Sequence, residues 1–274
     1  MKEKFVLDFV IIGAQKCGTS ALADYLSRHP EVNFCKTKEP SFFSHKYKDQ
    51  NDLEKYYSYF DLKTTGIKGE ASTSYSNPVY LPNTAEKLKH NFPKLKIIFV
   101  VRNPIRRIES HINHAKLNNR EVSLNNQPKF VERSMYGHVL YDYSNYFSLD
   151  QILILKFEDL VNNRNLNKVS EFLNISFIDN VKIKEINKTN LRFHNLRIWN
   201  YYKKHWSLFQ LFKVPKSFKL MFKQALNKLL SKQMVKTEYY KLNSDEENNI
   251  ISELKDDSVI FEKITGIKYF ELYK

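Results

Sequence analysis

The sequence predicts a three-layer α/β fold, with a central and mainly parallel sheet flanked by helices and followed by a helical C-terminal part. Three observations predict it. The short apolar runs Phe9-Val10-Ile11-Ile12, Lys96 to Val101 and Gln151 to Phe157 have the length of buried strands. Stretches of helical spacing separate them, as in βαβ units with right-handed crossovers. The 274 residues are 42% hydrophobic and 14% aromatic with only 6 Gly and 8 Pro, which gives one sizeable core and excludes a disordered or fibrous chain.

Taken in order, the basic Met1-Lys2-Glu3-Lys4 and apolar Phe5 to Ala14 imitate a secretion signal. Asp8 interrupts the run, no small-x-small site follows, and the segment enters a glycine turn, so it reads as a first strand. Thr19 to Ser27 reads as a helix through Leu22 and Leu26, stopped by His29-Pro30. Ile67 to Glu70 is a second strand, and Pro78 to Asn91 the helix after it. Lys96 to Val101 is the clearest strand, with Pro104 where a helix would begin. An amphipathic stretch, Val131 to Phe147, precedes the strand at Gln151 to Phe157. From about Ile175 the chain reads as predominantly helical, so one domain is expected over 1–274, with an α/β core at 5–175 and a helical, basic subregion at 176–274. No apolar run approaches the roughly 18 residues of a spanning helix, and Cys17 and Cys35 cannot form a disulfide framework. A cytoplasmic protein, at most peripheral at the inner membrane face, is expected.

The formal charge is 44 − 30 = +14, and its distribution is uneven. Between Glu185 and Glu238 there is no acidic residue, whereas twelve lysines and arginines fall there, from Lys188 to Lys236. Trp199, Tyr202, Trp206 and Phe209, then Phe218, Phe222, Ala225 and Leu229, recur there at helical spacing. Either these aromatics are core, or the helices meet an anionic partner such as an acidic glycan or a membrane surface. Without a helix-turn-helix, ribonucleoprotein or zinc-finger signature, no nucleic acid is expected as partner.

The first strand runs into Gly13-Ala14-Gln15-Lys16-Cys17-Gly18-Thr19-Ser20. A glycine turn between strand and helix offers backbone N–H groups and a helix dipole to an anion. Both glycines of G-x-x-x-x-G-K-[ST] are present, but Thr19 stands at the lysine position and the lysine comes earlier, at Lys16. The strand Lys96 to Val101 ends in Arg102 rather than in a carboxylate for Mg²⁺. The loop is therefore P-loop-like, built for an anion held by protein cations, with no metal expected; a nucleotide-binding kinase relative is the enzymatic alternative, a binder of nucleic acid or anionic surfaces the non-enzymatic one. His111 and His114 lie one helical turn apart but lack a third ligand nearby.

Ile11 to Leu22 resembles the 5′-phosphosulfate loop of sulfotransferases that use 3′-phosphoadenosine 5′-phosphosulfate (PAPS). Arg102-Asn-Pro-Ile-Arg-Arg-Ile-Glu-Ser110 resembles their 3′-phosphate motif. Lys38 to Phe43, Gly69 to Ser72, Arg133 to Tyr136 and Phe261 to Gly266 are similar, in the same order, to segments of the heparan-sulfate-type and bacterial sulfotransferase domain. The resemblance implies PAPS as co-substrate, Lys16 at the charge that builds on the leaving phosphate, and Cys17, Gly18, Thr19 and Ser20 around the 5′-phosphate. It implies Arg102 and Ser110 at the 3′-phosphate, with Gly13, Gln15, Tyr136 and Arg192 completing the donor site. Glu39 would be the general base, since the glutamate of the matching Glu-x-x-Phe-Phe segment has that role in glycan-modifying relatives; His111 and His45 stand as alternatives. Glu39 could instead be a solvated partner of Lys36 or Lys38, Arg133 and Ser134 helix surface, Tyr136 core, and Cys17 either a reactive thiol or simply a small residue. The implied acceptor is a hydroxyl (or amine) of a glycan, glycolipid or small alcohol. Ala71 follows Glu70 where glucosamine-modifying relatives often carry lysine, and neither their disulfide loop nor their anchor is expected here.

Overall fold

Five parallel strands carry the candidate site: β1 (Phe9–Gly13), β2 (Val32–Phe34), β3 (Ile67–Ala71), β4 (Lys96–Val101) and β5 (Ile152–Lys156), in the order β2-β3-β1-β4-β5. The computed structural model describes residues 5–117, 129–178 and 239–271 and the backbone of 191–193 and 234–236. Every residue of β1 is buried, as is β4 after Lys96, as expected of parallel strands covered on both faces. The chain leaves β1 towards β2 and β3 on one side and returns to β4 on the other. The order therefore reverses at β1, and the crevice at the carboxyl ends of β3, β1 and β4 is where such sheets hold ligands. Gly69 of β3 pairs with Phe9 of β1, and a Cβ there would sit 2.0 Å from the Phe9 ring.

The helices are α1 (Thr19–Ser27), α2 (Phe42–His45), α3 (Leu53–Tyr57), α4 (Thr84–Asn91), α5 (Pro104–Leu117), α6 (Lys129–Glu132), α7 (Tyr136–Ser144), α8 (Phe157–Val161), α9 (Leu166–Leu173), α10 (Ser244–Glu253) and α11 (Lys255–Thr265). α1 and α5 begin where the sequence predicts. α4 starts six residues later than Pro78, after Asn83 at φ 64°, because the segment before it turns through Pro82. The amphipathic stretch at 131–147 is two helices, α6 and α7. β2 escaped the sequence reading because three residues carry no periodicity. Among the described residues, no helix is long and apolar enough to cross a membrane.

Two compact units are present, one of residues 1–112, 122–187 and 242–274, the other of 113–121 and 188–241. The second contains an antiparallel pair, β6 (Leu191–Phe193) and β7 (Met234–Lys236). The sequence reading did not anticipate this pair, because three-residue strands that include a charged residue, Leu-Arg-Phe and Met-Val-Lys, carry no periodicity. The aromatic and lysine-rich stretch from Trp199 to Leu229 lies outside the described residues. In the first unit α10 and α11 are helical as expected, and α10 starts at a capping box in which Asn243 Oδ1 accepts from Glu246 N at 2.9 Å.

α11 packs against α7 through a buried carboxylate. Asp257 accepts from Gly137 N (3.0 Å), His138 N (2.7 Å) and His138 Nδ1 (2.6 Å), and so caps α7. The approach requires glycine, since a Cβ at Gly137 would lie 2.2 Å from Asp257 O. Gly137→Ala is expected to lower the unfolding free energy by about 2 kcal/mol or more, measured by urea denaturation; an unchanged midpoint would contradict this packing.

Candidate active site

β1 ends at Gly13 because nothing larger fits: a Cβ there would meet Ser76 Oγ at 2.1 Å, and φ is 150°. Ala14 N donates to Val100 O (2.7 Å), leading the chain over β4, and Cys17 N donates to Ala14 O (3.2 Å). Lys16 (φ 72°) and Gly18 (φ 83°) bend the loop back into α1. Ala21 N and Leu22 N both donate to Gly18 O, so the amides of Thr19 and Ser20 precede the first helical bond. No side chain caps this end and no acid stands in the first turn. The positive end of α1 thus faces the loop uncompensated.

Cations gather behind the loop. Arg102, following β4, donates to Lys16 O at 3.5 Å, and its guanidinium lies 4.2 Å from the centre of the Phe157 ring. Its Nε is buried without a partner. Arg107, wholly buried on α5, donates from Nε to Ser134 Oγ (2.5 Å) and from Nη2 to Phe130 O. Arg133 donates to Gln15 Oε1, and its Nε too is buried without a partner. Among the described residues none of Lys16, Arg102, Arg107 and Arg133 makes an ion pair. Burial, then the Arg102 and Arg107 charges, lower the Lys16 pKa to about 8. Glu158, which feels the Arg102 charge, has its own carboxyl pushed up by burial.

Tyr136 is fully buried and donates to Arg102 O at 3.0 Å, with Phe261 and Tyr269 packed on its ring. Tyr269 donates to Ser134 O. The C-terminal helix thereby braces the two residues that hold Arg102 and Arg107. Tyr136 is core and also touches the glycine loop, with its hydroxyl 3.7 Å from Cys17 Sγ. Ser134 is wholly buried rather than helix surface, and Ser110 is buried on α5. Burial pushes the Cys17 thiol up to about 11, so Cys17 behaves as a small buried residue and not as a reactive thiolate. Arg192 lies in β6 of the other unit, opposite Val235; its side chain is outside the described residues.

In front of the loop is an open cavity of about 400 Å³ whose lining includes Gln15, Glu39, His45, Thr73, Lys129 and Arg133. Glu39 is exposed, and its Oε2 accepts from Thr73 Oγ1 at 2.9 Å. Lys36 pairs instead with Asp61 at 3.6 Å. A second cavity of about 290 Å³, reaching Thr19, Ser20 and Lys38, shares Glu39 and Thr73 with the first. His45 lines the first cavity, whereas His111 packs its ring edge-on to Phe130 (4.5 Å) and contacts Arg107 at 3.4 Å. Arg107 and Thr73 went unassigned in the sequence. The second arginine of Arg106-Arg107 and the hydroxyl run after β3 were the signals available. Among the described residues no group of three His, Cys, Asp or Glu could hold a metal ion.

Residues 7–228 match the family model described as the sulfotransferase domain. The chain belongs to the sulfotransferase family. It is 26% identical, over 61% of its length and 43% of the relative's, to carbohydrate sulfotransferase 15 of Mus musculus. It is 27% identical, over 58% of its length and 20% of the relative's, to bifunctional heparan sulfate N-deacetylase/N-sulfotransferase 1 of Caenorhabditis elegans. The chain thus spans less than half the length of these curated relatives. A sulfotransferase from Alicyclobacillus acidocaldarius has the same fold, with TM-score 0.66 and 18% identity over 99% of this chain and 100% of that one. The central parallel sheet flanked by helices is the fold of that sulfotransferase.

The lowered Lys16 pKa gives a pH test. A phosphate dianion at the loop would bind the charged lysine, and that form declines as pH rises through about 8. Affinity for 3′,5′-ADP is therefore expected to be greatest near pH 7, where the phosphates are still dianionic, and to fall above 8, approaching about tenfold per pH unit. Calorimetric titration should also register proton uptake near pH 8. Constant affinity from pH 7 to 9 would contradict the burial of Lys16 among these arginines.

Proposed function

We propose that this protein transfers a sulfuryl group from PAPS to a hydroxyl or amine of a carbohydrate acceptor. The observation that carries the reading is the set of four cations, Lys16, Arg102, Arg107 and Arg133, converging on the glycine loop without a carboxylate partner. Buried cations without anions are costly, and a bound polyanion supplies what is missing. The carbohydrate acceptor is supported by the names of the curated relatives and by a cavity lined with hydroxyl, amide and charged groups.

The amides of Thr19 and Ser20 and the end of α1 hold the 5′-phosphate of the donor, while Arg102 and Ser110 hold the 3′-phosphate. An acceptor oxygen or nitrogen attacks sulfur from the side away from the bridging oxygen. The bond from sulfur to that oxygen breaks as the new one forms, and 3′,5′-ADP leaves with the electron pair. Such a transition state is loose, so positioning and charge stabilisation do most of the work. Lys16 meets the charge growing on the leaving phosphate. Glu39, aimed by Thr73 at the edge shared by both cavities, takes the acceptor's proton.

The variants separate these roles. With labelled PAPS and an oligosaccharide acceptor, Lys16→Ala should lower kcat by on the order of 10² or more, whereas Arg102→Ala should act mainly on donor affinity. Equal, small effects would remove the assignment. Glu39→Gln should leave 3′,5′-ADP binding nearly unchanged and lower kcat by about 10² to 10⁴. A fully active variant would transfer the base to His45.

A further inference from the structure

Glu70, on β3, has no solvent exposure, so its carboxylate must find donors inside the protein. It finds three hydroxyls. Tyr56 and Tyr75 donate to Oε1, both at 2.8 Å, and Ser72 donates to Oε2 at 2.7 Å. Among the described residues it makes no ion pair. Lys46, a cation whose field reaches it, donates instead to Pro40 O at 2.8 Å.

A hydroxyl has one proton. Because Ser72 and Tyr75 give theirs to Glu70, their oxygens face the neighbouring chain with lone pairs only. Both are used: Ser41 N donates to Ser72 Oγ (2.9 Å) and Phe43 N to Tyr75 Oη (3.3 Å). These amides lie two and four residues after Glu39, the second inside α2, and the segment leading into that helix is strained: Glu39 (φ 47°) and Ser41 (φ 50°) both adopt the left-handed conformation that side chains disfavour. The turn thus keeps its shape through bonds whose direction an acceptor-only group, Glu70, sets. Thr73 in the same segment reaches the Glu39 carboxylate itself.

We infer that Glu70 is a positioning residue which, through Ser72 and Tyr75, holds Glu39 in the orientation that receives the acceptor's proton. The inference rests on the reading of Glu39 as base. Glutamine at this position keeps the shape but adds an NH₂ that itself needs an acceptor, so at least one hydroxyl must turn its proton away from residue 70, and the direction of its bond to the Ser41 or Phe43 amide is no longer fixed. A side chain there solely to fill the core would tolerate that exchange.

The test measures kcat and KM for PAPS in Glu70→Gln, Ser72→Ala and Glu39→Gln and in each of the first two combined with Glu39→Gln. Ser72→Ala removes one link and leaves Glu70 two donors, so it reports even where Glu70→Gln does not fold. Glu70→Gln and Ser72→Ala are each expected to lower kcat by about ten- to a hundredfold with KM for PAPS within about twofold, and to lower it no further once Glu39 is glutamine. Unchanged kcat in the foldable single variants, or the same loss persisting without Glu39, overturns the inference and leaves Glu70 a core residue. Full turnover in Glu39→Gln alone is a different failure: it removes the base, and with it anything for Glu70 to position.

Discussion

Four clustered cations that make no ion pair among the described residues, one of them wholly buried and three half-buried, are the constraint on which the rest of this site depends. Lys16, Arg102, Arg107 and Arg133 converge at the carboxyl ends of β1 and β4, and what satisfies them is a carbonyl, a serine, a glutamine and an aromatic face. Such neighbours orient a guanidinium without neutralising it. The loop therefore keeps an attractive field for an anion, and the field registers in Lys16, whose pKa falls to about 8. Much of the remaining architecture supports this arrangement. Tyr136 holds the Arg102 backbone, Ser134 holds Arg107, and α11 and Tyr269 hold both from behind.

The acidic side of the site is built on the opposite principle. Glu70 is buried and surrounded by hydroxyl donors, whereas Glu39 is exposed and held by one threonine. Burial raises the carboxyl pKa of Glu70 above its ordinary value. The two glutamates are thus suited to different tasks, one to fixing hydrogen-bond direction and the other to meeting solvent and acceptor.

Much of this was legible in the sequence, for physical reasons that differ from residue to residue. β1, β4 and β5 announce themselves because parallel strands buried on both faces are runs of Val, Ile, Leu and Phe. Gly13 and Gly18 mark the loop because the backbone there leaves no room for a side chain. Arg102 stood out because a cation closed an apolar strand. Arg107 did not, since nothing local distinguishes a buried arginine from its exposed neighbour Arg106; only the approach of α6 and Ser134 buries it. Glu70 likewise depends on Tyr56 and Tyr75, brought together by tertiary packing. That Lys36 pairs with Asp61 rather than with Glu39 could not be read locally, because Asp61 arrives from another loop.

The central claim is that the unpaired cations form a site for a nucleotide carrying a 3′-phosphate. The most direct measurement is the affinity for 3′,5′-ADP against that for 5′-AMP in the presence of a chelator. Charge-assisted bonds from an arginine to the added phosphate are worth about 1.5–3 kcal/mol each, so 3′,5′-ADP should bind at least about tenfold, and up to on the order of a hundredfold, more tightly. Equal affinities would contradict the account, because Arg102 and the cradle behind it would then be recognising something other than the sulfuryl donor.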